Sequence, residues 1–465
     1  MKIKLLVSAM AMVTTLGAHA AQNYADFPVT VKDYQGDAKH SVSYTGQAAR
    51  QVLHTSLKKL ASKGNGQANP ELKAQLMAYY QGEEAGRKIL APVSKEGFPV
   101  AQDQVDQLSK KKNLSGKTYQ GVVPGWPGNM TGQEVLTFMI DKASSANKGY
   151  DPLSGLDYTQ LISKFAMGAV FYNQAVDNYL DEKLEAGTKP NNQPYKKGAA
   201  YTGKEHVWDE AFGYFGAQAN SLNLTAKQVY QVAKQKPEAL ALADLNKDGK
   251  VSLYNEMTYA HAYYAAGFDK GGKTNYLHTI VQAFVDGRQL LADAKGEALS
   301  DSQRNKLKGY ADIIATNWEK VIAEAVFKYA GSTYKDLQAL ETLIEGNGDV
   351  GPAFRKYAKH WAEMKGFALA LQTGKKNLGA TGVQLNRLIG FSPVLLGNTQ
   401  ITGIDDKGNY IQSGSVSMKE YMLNMLKVQQ LMLDTFAVEA RNNDLLAEMG
   451  VLAEKLGSGA SAEND

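Results

Sequence analysis

Apolar residues spaced three and four apart set the rhythm of this chain. Over residues 46–62, Ala49, Val52, Leu53, Leu57 and Leu60 fall on one stripe of a helix. A second helix is predicted over 70–90, with Asn69 as its cap and Pro70 at the first helical position, where a missing N–H is no loss. The rhythm stops over 91–131, which is rich in Gly, Pro and Lys and reads as a long connection pinned by Trp126. It resumes after Thr131 and Glu134, whose spacing ahead of an apolar run is that of a capping box. Residues 156–186 read as one long helix, apolar nearly all round in its middle and so predicted to be buried in a bundle. Further helices are predicted over 276–295, 300–329, 335–344, 381–389 and 418–450, the last in two pieces broken near Asn442 and Asn443. Alternation of period two is confined to 21–45, read as an extended N-terminal arm. The pattern predicts an all-α protein built from helical bundles.

One stretch recurs. Residues 204–216, KEHVWDEAFGYFG, and 359–371, KHWAEMKGFALAL, share the pattern W-x-E-x-x-G-aromatic. Trp208, Glu210, Gly213 and Tyr214 align with Trp361, Glu363, Gly366 and Phe367, and a His stands just upstream in each. The copies lie about one bundle domain apart, which predicts an internal duplication. On that basis a first bundle spans 46–298, a second spans 299–456, and the low-complexity tail 457–465 reads as disordered.

Composition narrows the setting. Residues 1–20 have a charged start (Lys2, Lys4), an apolar core and a small-x-small end at Ala18-His19-Ala20, the layout of a cleaved secretory signal. A bacterial periplasmic or secreted protein is expected. No second long apolar run follows, so no membrane span is expected after cleavage. The absence of cysteine from the chain excludes disulfides, a thiol nucleophile and thiolate metal sites. Taking Lys2 and Lys4 from the 51 Lys and Arg, against 47 Asp and Glu, leaves +2, too weak a field to expect a nucleic-acid partner.

Two groups of residues carry candidate chemistry. Residues 244–256, DLNKDGKVSLYNE, follow the EF-hand spacing of oxygen ligands: Asp244, Asn246 and Asp248, then Gly249 for the turn, the Lys250 carbonyl, apolar Val251 and Ser252. The twelfth position is Asn255 rather than a carboxylate, and Glu256 follows it. A structural calcium site is expected, with helices on both sides and either Asn255 or Glu256 closing the loop. The second group is His206 with Asp209 and Glu210, and His360 with Glu363. Each set lies one helical turn apart, the placement from which bundles build iron, zinc or manganese sites. His40, His54, His261 and His278 stand alone. There is no G-x-S-x-G elbow, no H-E-x-x-H motif and no phosphate loop, so nothing in these patterns argues for an enzyme.

YTGQAAR at 44–50, MGAVFYNQAVDNYL at 167–180, HVWDEAFGYFG at 206–216 and HWAEMKGFALALQ at 360–372 together resemble a bacterial family of exported proteins and lipoproteins catalogued as domain of unknown function 4856. More distantly the chain is similar to imelysin-like proteins, iron-regulated exported proteins made of two helical bundles, with the motif G-x-H-x-x-E. Here Gly203 is three residues before His206, Asp209 stands at the Glu position, and Ala358 replaces the Gly of the second copy. The resemblance implies iron or other transition-metal acquisition, with the metal ion or an iron compound as ligand. The alternative is a calcium-stabilised exported interaction protein that binds a protein or glycan and no transition metal.

Overall fold

The computed structural model describes residues 23–461, apart from 375 and 415. The expected signal segment, 1–20, lies outside the described residues. Fourteen α-helices and two small hairpins make up the described chain, so the protein is all-α. Helices α1 (Thr45–Ala61) and α2 (Pro70–Tyr80) come first. After the long connection come α3 (Gly132–Ser145), the two-residue strands β1 (Tyr150–Asp151) and β2 (Leu156–Asp157), and α4 (Tyr158–Ala166). Then follow α5 (Gly203–Phe215), α6 (Ala226–Ala233), α7 (Leu240–Ala243), α8 (Ala260–Asp269) and α9 (Tyr276–Asp293). The later half holds α10 (Asp301–Glu345), α11 (Gly351–Leu371), α12 (Gly379–Ile389), strands β3 (Thr399–Ile404) and β4 (Tyr410–Gly414), α13 (Met418–Phe436) and α14 (Met449–Ser461). Among the described residues no helix is long and apolar enough to cross a membrane.

Local capping signals are realised. Thr131 and Glu134 form the expected capping box, Asn69 caps α2, and Ser300 caps α10 together with Gln303. Larger segments differ from expectation. The helix expected over 156–186 is α-helical only to Ala166 and continues in wider π turns over Met167–Tyr172 and Gln174–Tyr179. Its middle is buried as its composition predicts; Gly168 lies so close to α11 that a Cβ there would sit 2.3 Å from Ala370 Cβ. The two helices expected over 300–329 and 335–344 are one, the 45-residue α10. Gly331 does not break it. It makes room for the Asn443 carbonyl, which would lie 2.0 Å from a Cβ at that position.

α10 is the spine of the fold, packing against α8, α9, α11 and α13, while α11 also lies along α4. One hydrophobic core runs through these helices from Tyr24 to Ala440. The expected boundary at 298–299 falls in the loop between α9 and α10, and both halves share that core. The N-terminal arm is docked on it: Tyr24 and Phe27 are fully buried, and the Tyr24 ring stacks on Phe212 at 3.7 Å. Trp126 pins the long connection, as its place in that polar stretch suggests.

The core also holds a pH-dependent term. His54 is buried in α1 with Nε2 2.8 Å from the Ser163 carbonyl, and burial pushes its pKa down from 6.5 to about 4. A base depressed in the fold contributes stability that is fully present above its unfolded pKa and is lost as pH falls through the folded one. Between pH 6.5 and about 4 this group alone is expected to withdraw about 3 kcal/mol. Urea titrations at pH 7 and pH 4.5 check it: the acid loss should shrink by that order in His54→Gln, and an unchanged loss would refute the assignment.

Candidate functional site

The Asp244 loop has the internal bonding expected of an ion-binding turn. Asp244 accepts the N–H of Asp248 and of Gly249 on its two carboxylate oxygens, at 3.1 and 2.9 Å. Asn246 Oδ1 accepts Asp248 N–H at 3.0 Å, and Asp248 Oδ1 accepts Lys250 N–H at 2.8 Å. Lys247 and Gly249 both have positive φ, 59° and 82°, which folds the turn back on itself. Val251 follows and pairs through its backbone with the long connection: its N–H reaches Pro99 O at 2.9 Å and its carbonyl takes Ala101 N–H at 3.0 Å.

The far side of the loop departs from the helix-loop-helix expectation. Residues 253–256 form a turn, 257–259 are irregular, and the next helix begins only at Ala260. The reason is local. Leu253 and Met257 turn inward, Leu253 N–H is held by Gln102 Oε1 at 2.7 Å, and Asn255 O takes Ala219 N–H. Glu256 is buried and faces the loop's own backbone, accepting from Leu245 and Asn246 on one oxygen and from Ser252 on the other. Burial raises its pKa, and those three N–H groups oppose the rise. Ser252 Oγ accepts Tyr254 N–H at 3.3 Å. Asp244, Asn246 and Asp248 also accept within the turn, so what a hard cation could meet is the remaining lone pairs of those three side chains and the Lys250 carbonyl.

Helix α5 separates residues that lie one turn apart in sequence. His206 and Glu210 lie about 40° apart around the helix, whereas Asp209 lies about 60° to the other side of His206. Asp209 accordingly turns inward. It is fully buried and accepts from Arg288 Nε (3.0 Å), Tyr24 O–H (3.0 Å) and Ser43 N–H (3.1 Å). Glu205, also fully buried, takes Arg288 Nη1 at 2.7 Å, Thr30 O–H at 2.9 Å and Thr202 N–H at 2.8 Å. Burial pushes the Asp209 carboxyl up to about 7 against the pull of Arg288. Asp209 is thus part of an internal ionic network, not a partner of His206.

His206 and Glu210 face a cleft of about 310 Å³ at the N-terminus of α1. His206 Nε2 lies 3.8 Å from Glu210 Oε1, Gln47 donates to the same oxygen at 2.8 Å, and His206 Nδ1 has no partner. Tyr195 and Tyr201 pack on the imidazole, at 4.1 and 4.6 Å between ring centres. Burial lowers the His206 pKa and Glu210 opposes that.

The second copy does not repeat this arrangement. His360 Nδ1 is bonded to Asp336 of α10, while Glu363 lies 3.8 Å from the buried Lys164 of α4. Lys58, next to Lys164, is pushed down to about 7, first by that ammonium and then by burial. What the two copies share is packing. Trp208 Nε1 donates to Phe284 O of α9 and Trp361 Nε1 to Tyr421 O–H of α13. On the opposite side Gly213 meets α1 and Gly366 meets α4 at near-contact distance. Among the described residues no three His, Asp or Glu side chains gather on one point. Sequence reasoning missed Arg288 and Arg50, because single basic residues in helices carry no local signature; Lys112 belongs to the run Lys110–Lys112, which reads from sequence as a solvated loop patch, and Lys117 and Lys196 stand in connecting segments.

Residues 128–379, more than half of the chain, match the family described as a domain of unknown function (DUF4856), and the chain belongs to that family. The matched span holds α5, the Asp244 loop and α11, but not α1 or the arm. No curated protein and no solved structure matches the chain.

Proposed function

We propose that this DUF4856 protein is a non-enzymatic helical binding protein of a bacterial exported compartment, with calcium as a structural ion in the Asp244 loop. The observation that carries the calcium assignment is the bonding of that loop. Asp244, Asn246 and Asp248 each use side-chain oxygen to hold the backbone turn and keep further lone pairs for a hard cation, with the Lys250 carbonyl beside them. Calcium there would screen two carboxylates on one short turn. It would also stiffen the segment that fastens the long connection through Val251. Export is supported by the leader-like composition of residues 1–20.

At a hundredfold excess over Kd, calcium is expected to add about 2.7 kcal/mol, several degrees in Tm. Thermal melts of chelator-treated protein with and without calcium check this. The gain should vanish in Asp244→Asn/Asp248→Asn, and no gain in the unsubstituted protein would defeat the proposal.

The transition-metal reading is favoured by one observation, the His206–Glu210 pair in the cleft wall, with Nε2 3.8 Å from Oε1. Two protein ligands suit a metal that arrives with its own ligands, such as an iron compound. His360 and Glu363 are engaged elsewhere and take no part. Elemental analysis of wild type and His206→Ala distinguishes the readings; equal iron and zinc content removes the pair from any metal site.

A further inference from the structure

The cleft that holds His206 is lined by far more positive than negative charge. Arg50, Lys112, Lys117 and Lys196 line it, against Glu210 as the one carboxylate in its wall. Arg50 is 8 % exposed, so its guanidinium has given up most of its water. It donates only to the carbonyls of Asn113 (Nε, 2.9 Å) and Gly46 (Nη1, 3.3 Å). Among the described residues, none of these four cations forms an ion pair. Lys112 and Lys117 are half-buried; burial lowers both pKa values, and the Arg50 charge lowers them further. Cations crowded in this way repel one another, and a fold gains nothing by gathering them unless something negative joins them.

The backbone adds to the same field. α1 is 17 residues long, and Tyr44 at its N-cap offers no side-chain oxygen to its first turn. That uncapped end, from Ser43 to Gln47, forms one wall of the cleft; Ser43 N–H is donated inward to Asp209 and Gln47 N–H to Tyr44 O, which leaves the first-turn N–H groups of Thr45 and Gly46 and the positive end of the helix dipole on that wall. Glu210 offsets one charge, but its Oε1 already accepts from Gln47. Tyr195 and Tyr201, packed about the His206 ring, add an aromatic edge to the same wall as Lys196.

We propose that this cleft binds a small organic molecule bearing two or more oxyanion oxygens, a carboxylate or phosphate compound, on Arg50, Lys112, Lys117 and the N-terminus of α1. A cleft of about 310 Å³ stands at the small end of ligand sites, which fits a compact metabolite. The Tyr195–Tyr201 edge takes its carbon skeleton. The Asp244 loop contributes no residue to the cleft, so this assignment stands or falls apart from the calcium site.

The test is isothermal titration of the full exported protein with tricarballylate and with ribose 5-phosphate, at low salt. Both hold calcium weakly, so binding reports on the cleft. One of the two is expected to bind with Kd below about 1 mM, and which one decides between carboxylate and phosphate ligands. Lys117→Gln should weaken that binding about fivefold, while Glu210→Gln, which keeps the bond to Gln47 and removes the negative charge, should tighten it about threefold. Opposite signs separate the proposal from a folding defect, since a damaged fold weakens binding in both variants. No binding of either compound below about 1 mM, or a loss in both variants, would overturn it.

Discussion

Arg288→Ala is expected to lower the unfolding free energy by about 3–5 kcal/mol, the cost of stranding buried charge. Arg288 lies fully buried between Asp209 and Glu205, and its Nη2 also reaches Ser41 O–H. Without it two buried carboxyls keep only neutral donors. The effect has a sign in pH. A carboxyl whose folded pKa is raised, as that of Asp209 is to about 7, contributes stability that is fully present below its unfolded value of 3.8 and is lost as pH rises through 7. Removal of Arg288 takes away the one cation that holds that pKa down, so the variant's deficit should be larger at pH 8 than at pH 5. Urea titrations read both: the midpoint falls, the slope does not, and Arg288→Met with Asp209→Asn and Glu205→Gln recovers part of the loss. A deficit under about 1 kcal/mol, or one independent of pH, would mean that water or another cation replaces Arg288.

Gly→Ala at an exposed position inside a helix ordinarily gains about 1 kcal/mol. In the two W-x-E-x-x-G stretches the sign reverses. A Cβ on Gly213 would lie 2.7 Å from Gln47 Cβ and 2.8 Å from Tyr44 Cβ; one on Gly366 would lie 2.5 Å from Lys164 Cβ. These obstacles are roots of side chains, which cannot move without their helices. Gly213→Ala and Gly366→Ala are therefore each expected to lose about 1–3 kcal/mol as α1 or α4 is pushed away. Gly309 of α10 is exposed with nothing within 4 Å of its added Cβ, and Gly309→Ala should show the ordinary gain. Three melting curves compare them; a gain at Gly213 would show that the α1–α5 contact is loose. Gly213→Ala also displaces the wall of the His206 cleft, so its loss of anion affinity should exceed that of Gly366→Ala.

These contrasts mark what a sequence can disclose. Helix starts at Asn69, Thr131 and Ser300 were legible because a cap and its partner lie within three residues of each other. The turn of the Asp244 loop was legible for the same reason. The reason for Gly331 inside α10 was not, since the Asn443 carbonyl that needs its missing Cβ lies more than a hundred residues away. The same holds for Asp209. Its spacing from His206 allows a shared face, and only the arrival of Arg288 from α9 settles the inward turn. The hairpin of β3 and β4 had a readable turn, in which Asp405 accepts N–H groups from Lys407 and Asn409, but its strands alternate too weakly to compete with the helical rhythm around them. The repeated W-x-E-x-x-G was visible as a pattern, while its meaning was not. Trp and Gly five residues apart stand about 140° around a helix, so the pattern marks a helix clasped between two neighbours.

The two faces of α5 have a joint consequence. Glu205 and Asp209 look inward to Arg288, while His206 and Glu210 look outward to the cleft. The arm supplies Thr30, Ser41 and Ser43 to the inner network and then, without interruption, becomes the cleft wall from Ser43 to Gln47. The cleft is thus walled by a segment already anchored to the core on its inner side. The backbone donors of that wall gave up their freedom when the chain folded, so little of their ordering entropy would be left to lose if a ligand bound there.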